Sequence, residues 1–431
     1  MTLRTNRAFR RLFLGRVTTN AGDSIYLVVT MWLVYDLTGS TLYTGAATFL
    51  LTAPNAVGFL MGPLADRWPS RPVLVGTQAI QALALGAVTV AWAVGYQEVW
   101  LLLGVIPLLA LVNQLVYPTM NAVLPRVVEK EDLMAANSSF ALAFQGLDTV
   151  FNALGGLLLV ALGAVALYAL DVVTFLVALA CYAGVRIPAA STNESLAAAD
   201  GGVDDAPAVE TADEATPPAA APTYRDDLRE GVGVFRGSLL WKLSVAVFLG
   251  VLTYWAMFAA LPAFADATGG VQRYGILLGA LAAGLLMGFV VAPRLQSYPF
   301  AYVIGSLGLF GAGAWTVVLT VRWLPVAAFA AACATVVVGV HTVGGQTLYQ
   351  TAVPPSLLGR VTSLHASVAG IAAPLGALLG GAVGATLGAR TAVSLLVVGH
   401  LAVSLVFLLD GGLRTLPAVA DVTPADLGLE E

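Results

Sequence analysis

The chain is poor in charge: Asp, Glu, Lys and Arg make up 10% of its 431 residues, whereas 58% are hydrophobic. A soluble domain carries about a quarter charged residues, so this composition excludes an ordinary soluble fold. Lysine is almost missing. Lys130 and Lys242 are the two, and they follow Glu129 and Trp241, so no Gly-x-x-x-x-Gly-Lys-Ser/Thr phosphate loop exists to support ATP hydrolysis. Cysteine is equally scarce: Cys181 and Cys333 fall in apolar stretches, where a thiol packs as a small hydrophobe, and no disulfide or metal role is expected. The three histidines, His341, His365 and His400, stand one per stretch without metal-ligand spacing. No Ser/His/Asp arrangement is readable, and Gly231-x-Gly233 has no strand before it. An enzyme is therefore not expected, nor a cofactor, nor a nucleic-acid partner.

What the chain has instead is long apolar runs. Twelve cover residues 12–36, 42–64, 73–95, 99–124, 134–162, 164–186, 240–264, 272–295, 301–321, 324–350, 362–386 and 388–410. A helix needs about 20 apolar residues to cross a bilayer's hydrocarbon core, so each run is long enough to span it. The 45 glycines suit helices that pack closely in lipid through small residues. The first run contains Asn20 and Asp23, unlike the short uniform core of a cleavable signal, and is expected to remain as a helix. The expected fold class is an all-α membrane protein with twelve transmembrane helices, resident in the cell membrane with the lipid bilayer as a partner.

Basic residues set the expected orientation, because Lys and Arg are retained on the cytoplasmic side of short loops. The N-terminus, the even-numbered loops and the C-terminal segment hold 16 of the 20 Lys and Arg. Only Arg273, Arg322 and Arg390 fall in odd-numbered loops, and Arg16 lies inside the first span. Both termini are expected in the cytoplasm.

Residues 187–223 interrupt the pattern with seven acids, no basic residue and many Ala, Pro, Thr and Gly. Such a segment cannot bury enough apolar surface to offset its ordering entropy, so a disordered linker is expected. Sliding the second half back by about 225 residues puts Val353 on Val128, Gln346 on Asn121 and Gly380-Gly381 on Gly155-Gly156, with Gly288 near Gly62. Several matches at one offset favour two six-helix pseudo-symmetric bundles related by duplication. The expected division is an N-terminal bundle (1–186), the acidic linker (187–223), a C-terminal bundle with a cytoplasmic lead-in helix (224–414) and an acidic cytoplasmic tail (415–431). Two halves of this kind can rock about a central site and expose it to one side at a time.

Charge inside a span is costly, about 2.5 to 3.5 kcal/mol on insertion scales, so Asp23 and Asp148 need a cavity, a partner or a proton. No Lys or Arg occurs between residues 72 and 125, and the cation nearest Asp23 within a span is Arg16. Arg16, Asn20 and Asp23 share one helix face by spacing, as do Gln145, Asp148 and Asn152. The same holds for Asn113, Tyr117 and Asn121, and for Thr342, Gln346 and Tyr349. Asp23, Asp148 and Asn20 are thus candidates for proton coupling or gating, while Asp171 reads as a structural acid. Tyr254 and Trp255, with Met257 and Phe258, could stack on an amphipathic substrate, and His341 could hydrogen-bond between helices.

Gly62-Pro63-Leu64-Ala65-Asp66-Arg67, followed by Arg71, resembles the loop between helices two and three of the major facilitator superfamily. The wider pattern resembles its branch of enterobactin exporters and macrolide or multidrug efflux proteins. It shows in Phe9 to Gly15 with Gly22-Asp23, Trp32 to Ser40, Leu133 to Asn137, Asp171 with Thr174-Phe175, Asp227 to Gly231, Gly359-Arg360-Val361 and Pro374-Leu375-Gly376. Two features depart from the superfamily's drug antiporters. Phe151 to Gly156 lacks their Gly-Pro, and span four lacks the arginine several groups carry there. The resemblance implies a cytoplasmic gate at Gly62, Asp66, Arg67 and Arg71, favoured by a helix dipole. It also implies a central cavity lined by spans one, four, seven and ten. Asn113, Tyr117, Asn121, Gln145, Asn152, Tyr254, Trp255, His341, Gln346 and Tyr349 are then the substrate-cavity candidates.

The expected function is secondary active transport: export of a small amphipathic or hydrophobic molecule, drug-like or siderophore-like, in exchange for protons. One chain is expected to hold the whole pathway as a monomeric unit. The alternatives are a non-transporting receptor or assembly factor that keeps the fold, and a facilitator or importer of the same superfamily.

Overall fold

The computed structural model describes residues 3, 5–56, 68–129, 132–185, 187 and 237–429. Helix α1 (Arg7–Thr38) starts where the Asn6 side chain accepts hydrogen bonds from the Ala8 and Phe9 amides, and stops at Gly39 in the left-handed region. It is followed by α2 (Thr41–Ala56) and α3 (Ser70–Ala93). The fourth span is broken into α4 (Val99–Asn113) and α5 (Val116–Val127). Helices α6 (Leu133–Leu162) and α7 (Ala164–Ala183) complete the first set.

The second set opens with α8 (Leu240–Leu295), 56 residues in which Gly269 and Gly270 leave helical geometry. A straight helix of that length would reach about 84 Å, far beyond a bilayer. Instead it reverses: Leu239, before its start, donates to the Leu427 carbonyl, and Phe300, just past its end, donates to the Pro417 carbonyl of the same C-terminal segment. Next come α9 (Phe300–Thr320), α10 (Leu324–Ala352), α11 (Pro355–Leu387), α12 (Ala389–Leu409) and the short α13 (Gly411–Arg414). Among the described residues, eight helices are long and apolar enough to cross a membrane, with α4 and α5 taken as one and α8 holding two limbs. Adding α1, α2 and α6 makes the all-α bundle consistent with twelve crossings.

The duplication recurs in the backbone. Gly163, between α6 and α7, has φ 77 and ψ 165, and Gly388, between α11 and α12, has φ 88 and ψ 154. Both sit where side-chain-bearing residues are strained, at the offset found in the sequence. Val128 and Val353 likewise end α5 and α10 in extended geometry.

The apolar core is shared at one end and divided at the other. The largest buried cluster joins Val28, Val29 and Trp32 of α1 to Phe258, Tyr274 and Leu277 of α8, at the end marked by the C-terminus of α1. Among the described residues, the other clusters each belong to one set: Leu243, Phe300 and Val340 in one, Leu12, Leu74 and Tyr182 in another. The shared end is closed through glycine. A Cβ built on Gly156 would lie 2.1 Å from Gly275 Cα, and one on Gly45 would lie 2.7 Å from Gly381 Cα. Thr41 Oγ1 donates to the Gly381 carbonyl at 3.1 Å and Thr44 Oγ1 to the Ala259 carbonyl at 2.7 Å.

Residues 415–429 differ from a purely acidic tail. Leu416, Val419, Val422, Leu427 and Leu429 are all buried in the cluster of the second set. Apolar residues spaced among the acids carry this packing, which net composition hides. Of the linker, residues 188–223 lie outside the described residues, as does most of the expected lead-in helix.

Candidate functional site

Two cavities meet at one tryptophan. The first, about 390 Å3, lies among α1, α2, α3, α4 and the start of α5, with Trp255 of α8 entering from the second set. Its wall carries Arg16, Asn20 and Asp23 on a single face of α1, as the spacing predicts. Asn113 Nδ2 donates to Asp23 Oδ2 at 3.3 Å, and Gln114 Nε2 donates to Asn55 Oδ1 at 2.5 Å. The break between α4 and α5 falls at Gln114 and Leu115, so an interrupted helix presents these amides to the cavity. Asn20 is buried, and its carbonyl accepts from the Ser24 hydroxyl at 2.8 Å.

The second cavity, about 500 Å3, lies within the second set and is lined by Tyr254, Trp255, Phe300, His341, Gln346, Tyr349, His365 and His400. Tyr349 Oη and His365 Nδ1 are 3.0 Å apart, and His400 Nδ1 bonds the Leu396 carbonyl at 2.8 Å. Tyr254, Trp255 and Phe258 form an aromatic run, with Trp255 and Phe258 centroids 5.4 Å apart. The arrangement offers polar and charged groups on one side of Trp255 and aromatic, apolar surface on the other, which is the lining a small amphipathic molecule needs. No group of three or more His, Cys, Asp or Glu suited to a metal occurs among the described residues.

A model of the Major Facilitator Superfamily matches residues 12–377. The chain belongs to this superfamily. It is a multi-pass membrane protein, and the superfamily's members are transporters, not enzymes in general. Macrolide efflux protein A of Streptococcus pyogenes is 24% identical over 391 residues, covering 88% of this chain and 90% of that protein. Similar folds include a bacterial homolog of the human lysosomal transporter Spinster in an inward-facing, occupied conformation. It has a TM-score of 0.64 at 13% identity and covers 95% of this chain and 96% of its own. A bacterial homologue of the iron transporter ferroportin, inward-facing, has a TM-score of 0.63 at 17% identity, with 94% and 98% covered.

Within this superfamily member, Asp23, Asn20, Asn113 and Tyr117 come together in the first cavity, and Tyr254, Trp255, His341, Gln346 and Tyr349 line the second. Asn121 does not join them; it is exposed and lines neither cavity. A spacing of four residues drifts by about 40° per step, so a face that holds Asn113 and Tyr117 has turned away by Asn121. The side chains of Gln145, Asp148 and Asn152 lie outside the described ones, although α6 carries all three. Gly62, Asp66 and Arg67 of the gate motif lie outside the described residues. Arg71 is described. Its guanidinium donates to the Ala183 carbonyl at the end of α7, and Arg11 donates to the neighbouring Gly184 carbonyl. Two cations thus satisfy the carbonyl end of one helix, where its dipole favours positive charge.

Reading the sequence missed Asn55, Gln81 and Gln114, all of which line the first cavity. The available signal was a polar amide inside an apolar run, which is seldom neutral in a membrane.

Proposed function

We propose that this chain exports small amphipathic or hydrophobic molecules, drug-like or siderophore-like, in exchange for protons through Asp23, assisted by Asn20 and Asp148. The observation that carries the reading is Asp23 in a polar cavity that Trp255 shares with a larger aromatic one. A cavity acid can alternate between proton and substrate, so that loading one releases the other. The printed name of the macrolide efflux relative supports efflux as the direction and an amphipathic cargo.

In this proposal the two six-helix bundles, 1–186 and 224–414, rock about the cavities, tethered by the acidic linker 187–223 and followed by the segment 415–431. Both termini face the cytoplasm of the cell membrane, so the glycine-closed end is the outer one and the conformer opens inward. The loop from Gly62 to Arg71 gates the inner end. One chain carries the whole pathway.

The test is uptake of a radiolabelled macrolide by everted vesicles holding the full chain, with and without a proton gradient. Gradient-driven accumulation, lost in Asp23→Asn, is the expected result. Asp23→Asn transport with unchanged pH dependence removes the coupling role, and counterflow without any gradient dependence makes the protein a facilitator.

A further inference from the structure

The second cavity belongs to one set of helices alone. Its walls are the first limb of α8 with α9, α10, α11 and α12, and no described residue of the first set lines it. Small residues make its room. In mid-helix a glycine weakens the helix unless close packing uses the gap it leaves. Packing does so at Gly308 and Gly399, where an added Cβ would lie 2.2 Å from Ser404 Oγ and 2.0 Å from Thr253 Oγ1. Gly250 of α8 and Gly345 of α10 also line the cavity, and a Cβ on either meets nothing within 4 Å. The space they leave is filled by no other helix, which is the shape of a binding site and not of a helix contact.

The chemistry of the walls narrows the occupant. No Asp, Glu, Lys or Arg is among the described residues lining the cavity, so a charged group entering it would find no counter-ion. Tyr254, Trp255 and Phe300 offer flat aromatic surface. Most polar side chains there are already engaged: Tyr349 with His365 at 3.0 Å, His400 with the Leu396 carbonyl, and Thr342 with the Val338 carbonyl. His341 is not. Its ring centroid lies 6.4 Å from that of Phe300, and among the described residues no hydrogen bond reaches its imidazole. A neutral imidazole has one donor and one acceptor nitrogen, and a hydroxyl can meet either because it both donates and accepts. We propose that this cavity binds an uncharged, planar aromatic molecule through a hydroxyl group received by His341, with Gly250 and Gly345 leaving the room for its ring. Because every wall belongs to one set, rocking of the two sets leaves the site intact.

That a bound molecule is cargo rests on the export reading above, but the site itself is tested by binding alone. The probes are 2-naphthol, 2-methylnaphthalene and 2-naphthoate, one ring system carrying a hydroxyl, a methyl or a carboxylate at the same position. Each is equilibrated by dialysis with liposomes holding the full-length protein, and with the same liposomes without protein, which subtracts partition into lipid. Saturable binding of 2-naphthol is expected, about tenfold tighter than 2-methylnaphthalene and about a hundredfold tighter than 2-naphthoate. His341→Leu should bring the first two within about threefold of each other. Gly345→Leu, which fills the room, should abolish saturable binding at an undiminished thermal midpoint. Equal binding of the three probes, a hydroxyl preference that survives His341→Leu, or binding untouched by Gly345→Leu overturns the proposal. Should Gly345→Leu fail to fold, Gly250→Leu fills the same room from α8, and the probe series on the wild type needs no variant. Selective 2-naphthol binding with no gradient-driven macrolide uptake would sink the exporter reading and keep the site; gradient-driven uptake without that selectivity would do the reverse.

Discussion

Gly156 of α6 and Gly275 of α8 touch backbone to backbone, each occupying the place where the other's side chain would stand. Gly45 and Gly381 repeat the contact between α2 and α11. The first set of helices therefore grips the second at two related points, both at the end where the apolar core is continuous.

The same substitution should have opposite signs at two glycines. Gly156→Ala forces backbone apart and should cost about 1–3 kcal/mol, read as a lower thermal midpoint in detergent. Gly76→Ala, within α3 and with nothing inside 4 Å of its added Cβ, should gain about 0.5–1 kcal/mol.

Thr44→Val removes the hydroxyl that bridges α2 to the Ala259 carbonyl without changing side-chain volume. Hydrogen bonds between helices in membranes are worth about 0.6 kcal/mol, so the closed end should loosen by roughly that amount. A lower thermal midpoint in detergent than the wild type's is the readout, and an unchanged midpoint would contradict the prediction.

Trp255 lines both cavities, so Trp255→Ala should weaken binding of any molecule that bridges them. Losing this aromatic contact should raise the Kd of a macrolide, used as the probe for the proposed function, about tenfold or more, equivalent to about 1.4 kcal/mol. Phe329→Ala, on an exposed position of α10, should leave the Kd unchanged.

Asp410 follows α12 and pairs with Lys242 at 2.7 Å while accepting the Gly412 and Leu413 amides that start α13. The Lys242 ammonium, and after it the Leu413 amide, hold its carboxyl below the usual range. A lowered folded value means that the stabilisation is complete above the unfolded value, about pH 3.9, and is lost as the pH falls through the folded one. Asp410→Ala should therefore cost about 1 kcal/mol at pH 7, mostly through the lost cap. The difference from wild type in thermal midpoint should close in strong acid.

Much of this architecture is legible in the sequence because a bilayer allows so few solutions. Apolar length gave the crossings, and the Gly155-Gly156 and Gly380-Gly381 register marked residues that the fold uses for close contact. The face of Arg16, Asn20 and Asp23 was readable because helical spacing is rigid over two turns. Asn121 was misplaced because four-residue steps drift, and because α4 and α5 are separate helices. Asn55 and Gln114 meet across 59 positions of chain, a pairing that local spacing cannot express. Asp171 reads as a structural acid, but its packing against Gly22 could not be read locally, because the space its carboxyl fills is the absence of a side chain on another helix.

The docking of residues 415–429 bears on how this protein is handled. A fusion partner attached directly after Glu431 would pull on a segment whose Leu427 carbonyl is hydrogen-bonded to the entry of α8. A chain cut at Arg414 would strip the cover from Leu239 and Phe300. Affinity handles therefore belong at the other terminus, or beyond a spacer long enough to leave this last stretch seated.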